Sequence, residues 1–392
     1  MKHALLLALL PLAAQAQTQL SGRVLDRQTH QPVPYASVVV AGTTQGTTSN
    51  AEGEFVLRVR QLPAKVLAFG LGYGRDSVQV AQPGQVLAFS LAPAPIQLPA
   101  VEPPSYAAQL LTRAYRQVQR TRQQAEYGQA FYRQVTRNGG EPTEVLEAVW
   151  DVKAGSAGLD GSRIAQGRYG AQPALMNFQN FSVYTKAVGS FCGVASADTV
   201  DSHMVVSANP DKYFVLRYKG TAQSGPYQLA EVAYESKPGI PPVQGSVFID
   251  LASYRVLHAR ATRPMTVTSS RPKLVSFRDG SVTVEADFAP AATGTLPQYV
   301  HASAQLVAVP KNKPETPIRT EALAVFYDLR PVPTGLPYAG PEAVANDLTV
   351  IKQKAYAPAY WQANPVVKRT PLEEEVMRSF ENKKAFGTLL NK

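Results

Sequence analysis

Residues 42–59 read Gly42-Thr43-Thr44-Gln45-Gly46-Thr47-Thr48-Ser49-Asn50-Ala51-Glu52-Gly53-Glu54-Phe55-Val56-Leu57-Arg58-Val59. The second half alternates. Phe55, Leu57 and Val59 fall on one face and Glu54, Arg58 and Arg60 on the other, the period-two pattern of a half-buried strand. The first half is punctuation. Gly42 and Gly46 bracket one turn, and Asn50-Ala51-Glu52-Gly53 makes another, with glycine where the backbone needs positive φ and an asparagine able to close its own turn. Outward from this stretch the same grammar predicts strands at 19–26, 35–41, 47–49, 54–59, 65–69, 75–80 and 85–91. Seven short strands with frequent turns over residues 17–91 imply a two-sheet β-sandwich.

Gly22-Arg23-Val24-Leu25-Asp26, Pro32-Val33-Pro34-Tyr35-Ala36-Ser37-Val38, then Gly42-Thr43, Gly46-Thr47, Asn50, Gly53 and Phe55 form an ordered series. It resembles the carboxypeptidase regulatory-like domain, with Phe69-Gly70-Leu71-Gly72-Tyr73 where that family carries a Gly-Tyr turn. The resemblance covers about a fifth of the chain. It implies a transthyretin-like β-sandwich of the kind found in Bacteroidetes-type cell envelopes, and it transfers no peptidase activity by itself.

Residues 92–104 hold Pro93, Pro95, Pro99, Pro103 and Pro104, a density that predicts an extended, semi-rigid linker. The ~290 residues beyond it are too few for a barrel of the 22-strand receptor type. From 105 to 125, Tyr106, Leu110, Leu111, Ala114, Tyr115 and Val118 recur at helical spacing behind Ser105 as a candidate cap. Strands follow at about 126–137, 143–153, 198–206, 212–219, 226–235, 244–250, 254–262, 281–288, 298–309 and 319–329, with 154–197 read as an irregular, glycine-rich loop. Consecutive strands without helical crossovers predict a curved antiparallel sheet on the helix, a second domain over 105–335. The tail, 336–392, reads as helical, with candidates at 342–354 and 371–386. In the second of these, Thr370 caps, Pro371 takes the first position, and Glu373, Glu374 and Glu375 complement the positive helix start. Phe131-Tyr132-Arg133, Gly245 to Asp250, Tyr360-Trp361 and Arg369-Thr370-Pro371-Leu372-Glu373 resemble, more diffusely, envelope proteins of unassigned activity with the same N-terminal domain. The whole reads as mainly β.

Composition supports a folded chain: 45% hydrophobic and 17% charged residues exclude disorder and a coiled coil. Residues 1–16 read as an export signal, with Lys2 and His3, an apolar run from Ala4 to Ala14, and Ala14-Gln15-Ala16 for cleavage. The run is too short to span a bilayer, and no later stretch is long enough either. The expected location is therefore the periplasm or the outer membrane. Cys192 is the single cysteine, read as a small buried residue.

The search for chemistry finds no assembled motif. His3, His30, His203, His258 and His301 lack zinc-ligand spacing. Gly189-Ser190-Phe191-Cys192-Gly193 places its serine one position early for a nucleophile elbow, and a Cys192–His203 pair has no support beyond conceivability. Asp250, Asp26, Asn50 and Glu52 read as turn residues rather than as acid catalysts or calcium ligands. No phosphate-cradling loop opens a helix. Lys and Arg exceed Asp and Glu to give a net charge of +10, and Arg113, Arg116, Arg120 and Arg122 concentrate charge on the amphipathic helix. These four are the candidate contact for an anionic surface, against a plain solvated helix face. The sequence thus predicts an exported binding or scaffolding protein without cofactor or metal, whose partner is an envelope protein, polysaccharide or lipid and not nucleic acid. A hydrolase with its site in 154–197 and a lipid-binding β-clam lined by Val247, Ile249 and Val256 are the rival readings.

Overall fold

Buried residues alternate along Thr18–Asp26 (β1), where Leu20 and Val24 point inward, and the same pattern organises the six short strands after it. These are Ser37–Val40 (β2), Gly46–Thr48 (β3), Glu54–Val59 (β4), Ala64–Phe69 (β5), Asp76–Val80 (β6) and Val86–Leu91 (β7). In this computed structural model, which describes residues 18–43, 45–94, 97, 103, 105–178, 180–186, 203–340, 347–363, 367–383 and 386, they pair as two sheets. One has the order β4-β1-β7 and the other β3-β2-β5-β6. Phe55, Leu57, Phe89, Val38 and Val66 fill the space between them. The turn chemistry is as expected: Asn50 Oδ1 accepts from the amides of Glu52 and Glu54, both at 2.9 Å. Gly53 has φ +71° and sits where any Cβ would collide with the Val24 carbonyl oxygen.

The helix Tyr106–Thr121 (α1) follows, turning Leu110, Leu111, Ala114, Tyr115 and Val118 inward. Ser105 stands at its N-cap without a side-chain cap bond, because its Oγ accepts from Gln109 Nε2 instead (3.1 Å). The next ten strands are Ala125–Asn138 (β8), Glu141–Gly155 (β9), Gly158–Ala171 (β10), Phe214–Ser224 (β11), Tyr227–Ser236 (β12), Gln244–Asp250 (β13), Val256–Pro264 (β14), Val275–Pro290 (β15), Thr295–Pro310 (β16) and Thr316–Arg330 (β17). They form one antiparallel sheet, β10-β9-β8-β17-β16-β15-β14-β13-β12-β11. Strands β10 and β16 stand four places apart, which in a flat sheet would be about 19 Å. Yet Cα atoms of these two strands come within 8 Å of each other, so the sheet curls strongly. Bulges at Thr136/Arg137 and Tyr327/Arg330, within this arc, increase the local bend. All ten strands send side chains into the concave core around α1.

Two expectations need correcting. Residues 158–171, read as part of a loop, are strand β10, paired to β9 in continuous antiparallel register apart from two bulges. Its glycines hid the pattern, and one has a packing reason: a Cβ on Gly167 would strike Ile351 of the helix Asp347–Lys352 (α4), which lies against this strand. Residues 203–206, read as the end of a strand, are irregular and lie in the chain between the short helices Ser182–Lys186 (α2) and Pro210–Tyr213 (α3).

Each sheet edge is covered in part, which protects some of its unpaired backbone groups. At β11, Gln97 of the proline-rich linker exchanges two backbone hydrogen bonds with Thr221, and the sandwich turn at Leu71–Tyr73 bridges Ser224. The described part of the linker is therefore docked rather than a free spacer. At β10, Ala339 pairs with Ser162. The tail adds α4, Pro358–Ala363 (α5) and Pro371–Asn382 (α6). Thr370 caps α6 in a reciprocal capping box with Glu373, Pro371 follows at its start, and the helix is shorter than expected. Residues 1–17, Ser190, Cys192, Pro95, Pro99, Pro104 and 342–346 lie outside the described residues. Among those described, no helix is long and apolar enough to cross a membrane.

Leu110→Ala should lower stability by about 2–5 kcal/mol in chemical denaturation, because Leu110 is fully buried between helix and sheet. Arg116→Ala, on the exposed side of the same helix, should stay within about 0.5 kcal/mol of the parent.

Candidate functional site

Strand β9 carries charges inside an apolar run, and its pleat sends them to opposite faces. Glu144 joins Leu146, Ala148 and Trp150 on the concave side, while Glu147 joins Val145 and Val149 on the convex side. A carboxylate without solvent requires partners, and Glu147 has them on both neighbouring strands. Arg133 of β8 and Arg168 of β10 are its register partners. Arg133 Nε donates to Glu147 Oε1 at 2.7 Å, and Arg168 donates to Oε2 through Nε (2.8 Å) and Nη2 (2.5 Å). Burial alone would push the Glu147 carboxyl up, but Arg133, Arg168 and Arg369 together overcome it and hold the pKa down at about 2.

The two arginines also grip the tail. Arg133 reaches Glu373 Oε2 and the Val367 carbonyl, each at 3.3 Å. Arg168 donates to Glu381 Oε1 (3.0 Å), with its guanidinium over the Trp361 and Phe386 rings. Around them Val376, Met377 and Phe380 of α6 pack on Val135 and Val145. The tail in turn holds the sandwich: Lys368 pairs with Glu54 (3.0 Å) and its carbonyl accepts from Asn50 Nδ2 (3.3 Å). Direct links between sandwich and sheet are Arg60–Asp328 (2.7 Å) and Ser37 Oγ to Gln298 Oε1 (2.8 Å). On the concave face, Glu144 accepts from Thr136, Gln134, Tyr169 and the Phe178 amide, and burial raises its pKa. Lys186 there pairs with Asp347 at 2.7 Å, both buried.

Where sandwich, convex sheet face and tail meet, a cleft of about 370 Å³ opens. Tyr35 and Asn50 form its sandwich wall, Leu372 lines the tail side, and Arg137, His301 and Glu321 belong to its floor. Tyr35 adopts φ 55° and lays its ring on His301, centroids 4.9 Å apart. His301 Nε2 lies 2.8 Å from Glu321 Oε2. Burial, reinforced by Glu321, Glu373 and Glu285, raises the Tyr35 phenol and keeps it neutral.

The residues singled out from sequence lie elsewhere. Arg113, Arg116 and Arg120 are exposed along α1, on the concave side of the sheet, and Arg122 is half-buried. Arg113 Nη1 donates to the Tyr254 hydroxyl (2.7 Å) and Arg122 Nη1 to Gln119 Oε1 (3.3 Å). The histidines stay apart. His30 is in an exposed turn, His203 packs on Tyr213, and His258 is buried between Asp287 (2.5 Å) and Glu285 (3.5 Å). Burial works against the His258 imidazolium, yet the two acids prevail and raise its pKa. No group of three metal-ligating side chains occurs among the described residues. Asp250 closes its hairpin by accepting from Ser253, and Asp26 closes its turn by accepting from the amides of Gln28 and Thr29. Val247 and Ile249 have no exposed surface and Val256 very little, so these positions form solid core rather than a clam's lining.

Residues 20–101 match the family model of the CarboxypepD_reg-like domain. The N-terminal sandwich is therefore a carboxypeptidase regulatory-like domain, typically a non-catalytic module, and the match runs into the linker that includes Gln97. No curated protein matches the chain.

Sequence reasoning missed Glu147 and Arg168 altogether, although carboxylates inside Glu144-Val145-Leu146-Glu147-Ala148-Val149-Trp150 signal buried pairing. Glu147→Gln leaves two buried guanidinium groups short of charge and should cost about 3–5 kcal/mol. Because the folded pKa of Glu147 is depressed, its stabilisation is complete above about pH 4.3 and lost as pH falls toward 2. Denaturation midpoints across pH 2–7 should converge for parent and variant at the acid end.

Proposed function

We propose that this chain is an exported, non-enzymatic envelope protein that binds or scaffolds. What supports the reading is the use made of its charged groups. Glu147, Arg133, Arg168, Lys186, Asp347 and His258 sit in ion pairs that join elements of the fold. The open cleft is built jointly by sandwich, sheet and tail, the kind of junction where proteins take up ligands. The observation that carries most weight is this three-part construction, since a regulatory-like module docked in this way shapes a ligand surface. The exposed arginine row Arg113, Arg116 and Arg120 adds a second surface suited to anionic lipid or polysaccharide on the envelope. The rival reading of a hydrolytic site in 154–197 rests on an irregular loop there, and residues 158–171 of that stretch form strand β10.

Two measurements test this. Cell fractionation should recover the chain outside the cytosol, in the periplasm or with the outer membrane. The purified chain should also leave peptide and glycan substrates uncleaved. Reproducible hydrolysis that a single substitution abolishes contradicts the proposal, as does retention in the cytosol.

A further inference from the structure

On the convex face, strands β16, β17 and β8 place Gln305, Arg319 and Arg137 in one rank: Gln305 pairs with Arg319, and Arg319 with Arg137. Directly opposed residues on one face keep their Cβ atoms about 5 Å apart, and like charges there repel. Neither guanidinium has an ion pair or hydrogen bond among the described residues. The nearby acids are engaged: Glu321 faces His301, and Glu373 accepts from Arg133 and from the Thr370 amide. Arg137 is half-buried in the floor of the cleft, while Arg319 and Gln305 are exposed beside it. Two unopposed guanidinium forks at the rim of a concave, partly aromatic cleft match the geometry of an oxyanion.

We propose that Arg137 and Arg319, flanked by Gln305, form an oxyanion-binding site at the mouth of the cleft. The site takes the carboxylate or phosphate of a ligand whose body lies toward Tyr35 and His301. This deepens the binding reading above and rests on it. The anion supplies the negative charge that the opposed arginines lack, so its binding is coupled to the stability of the sheet.

The test uses the full purified chain at low ionic strength, titrated by calorimetry with inorganic phosphate, with glucuronate, and with glucose as the neutral control. Phosphate or glucuronate should bind at one site, the better of the two identifying the headgroup, and glucose should not. Arg137→Gln and Arg319→Gln should each weaken that binding at least tenfold, while Arg75→Gln on the sandwich surface leaves it unchanged. Arg319→Glu supplies an internal partner for Arg137, so it should raise the melting temperature in anion-free buffer and abolish the anion-dependent shift. Equal affinity in the parent and in Arg137→Gln overturns the site, as does failure of both anions to bind the parent. Either result leaves the non-enzymatic reading intact. Peptide or glycan hydrolysis would instead sink that reading without altering what the arginine variants report.

Discussion

A single carboxylate with no access to water organises this molecule. Glu147 is affordable only as an anion clamped between Arg133 and Arg168, and those guanidinium groups have hydrogen-bonding capacity left after meeting it. They direct the remainder outward, to Glu373, Glu381, the Val367 carbonyl and two aromatic rings of the tail. The tail then reaches the sandwich through Lys368. One buried charge on the middle of a strand is thereby connected to sandwich residues more than ninety positions upstream in the chain and to a helix more than two hundred residues downstream. Such a cluster contributes little net stability compared with an apolar core of the same volume. Its contribution is orientation, because the tail as placed supplies acceptors to both arginines.

The two faces of the sheet divide the work. The concave face is a conventional apolar core wrapped around α1, closed at its end by Glu144 with its four donors and by the Lys186–Asp347 pair. The convex face is mixed, with apolar patches under the tail and sandwich and polar ranks between them. The cleft lies on that polar ground. Its floor is rigid strand and its walls come from separate segments, so its shape depends on how tail and sandwich are seated.

Much of the fold was legible in the sequence. Alternation at Phe55, Leu57 and Val59 and the turn residues Asn50 and Gly53 placed the sandwich strands within a residue or two, because local backbone preference and tertiary burial agree there. The helical stripe of α1 and the cap of α6 were legible for the same reason. Strand β10 was not: Gly158, Gly161, Gly167 and Gly170 dilute its alternation, and the reason for Gly167, the approach of Ile351, comes from a residue nearly two hundred positions away. The ionic junction fared likewise. Arg133, Trp361, Arg369 and Glu373 lie in the stretches that diffusely resemble other envelope proteins, but nothing local states that they converge around Glu147. The helix arginines Arg113, Arg116 and Arg120 were conspicuous because they are crowded in sequence, whereas Arg137 and Arg319 become a pair only through strand register. Periodicity reports faces; it does not report which strands will lie side by side.

The anchoring role of Glu147 is tested most directly by amide hydrogen exchange at neutral pH, comparing the parent with Glu147→Gln segment by segment. If the buried carboxylate fastens the tail, amides of Thr370–Asn382 should lose protection first and most in the variant, with the β1–β7 sandwich core and α1 retaining theirs. If protection instead falls evenly over the whole chain, or the tail exchanges as slowly as in the parent, Glu147 does not hold the molecule together.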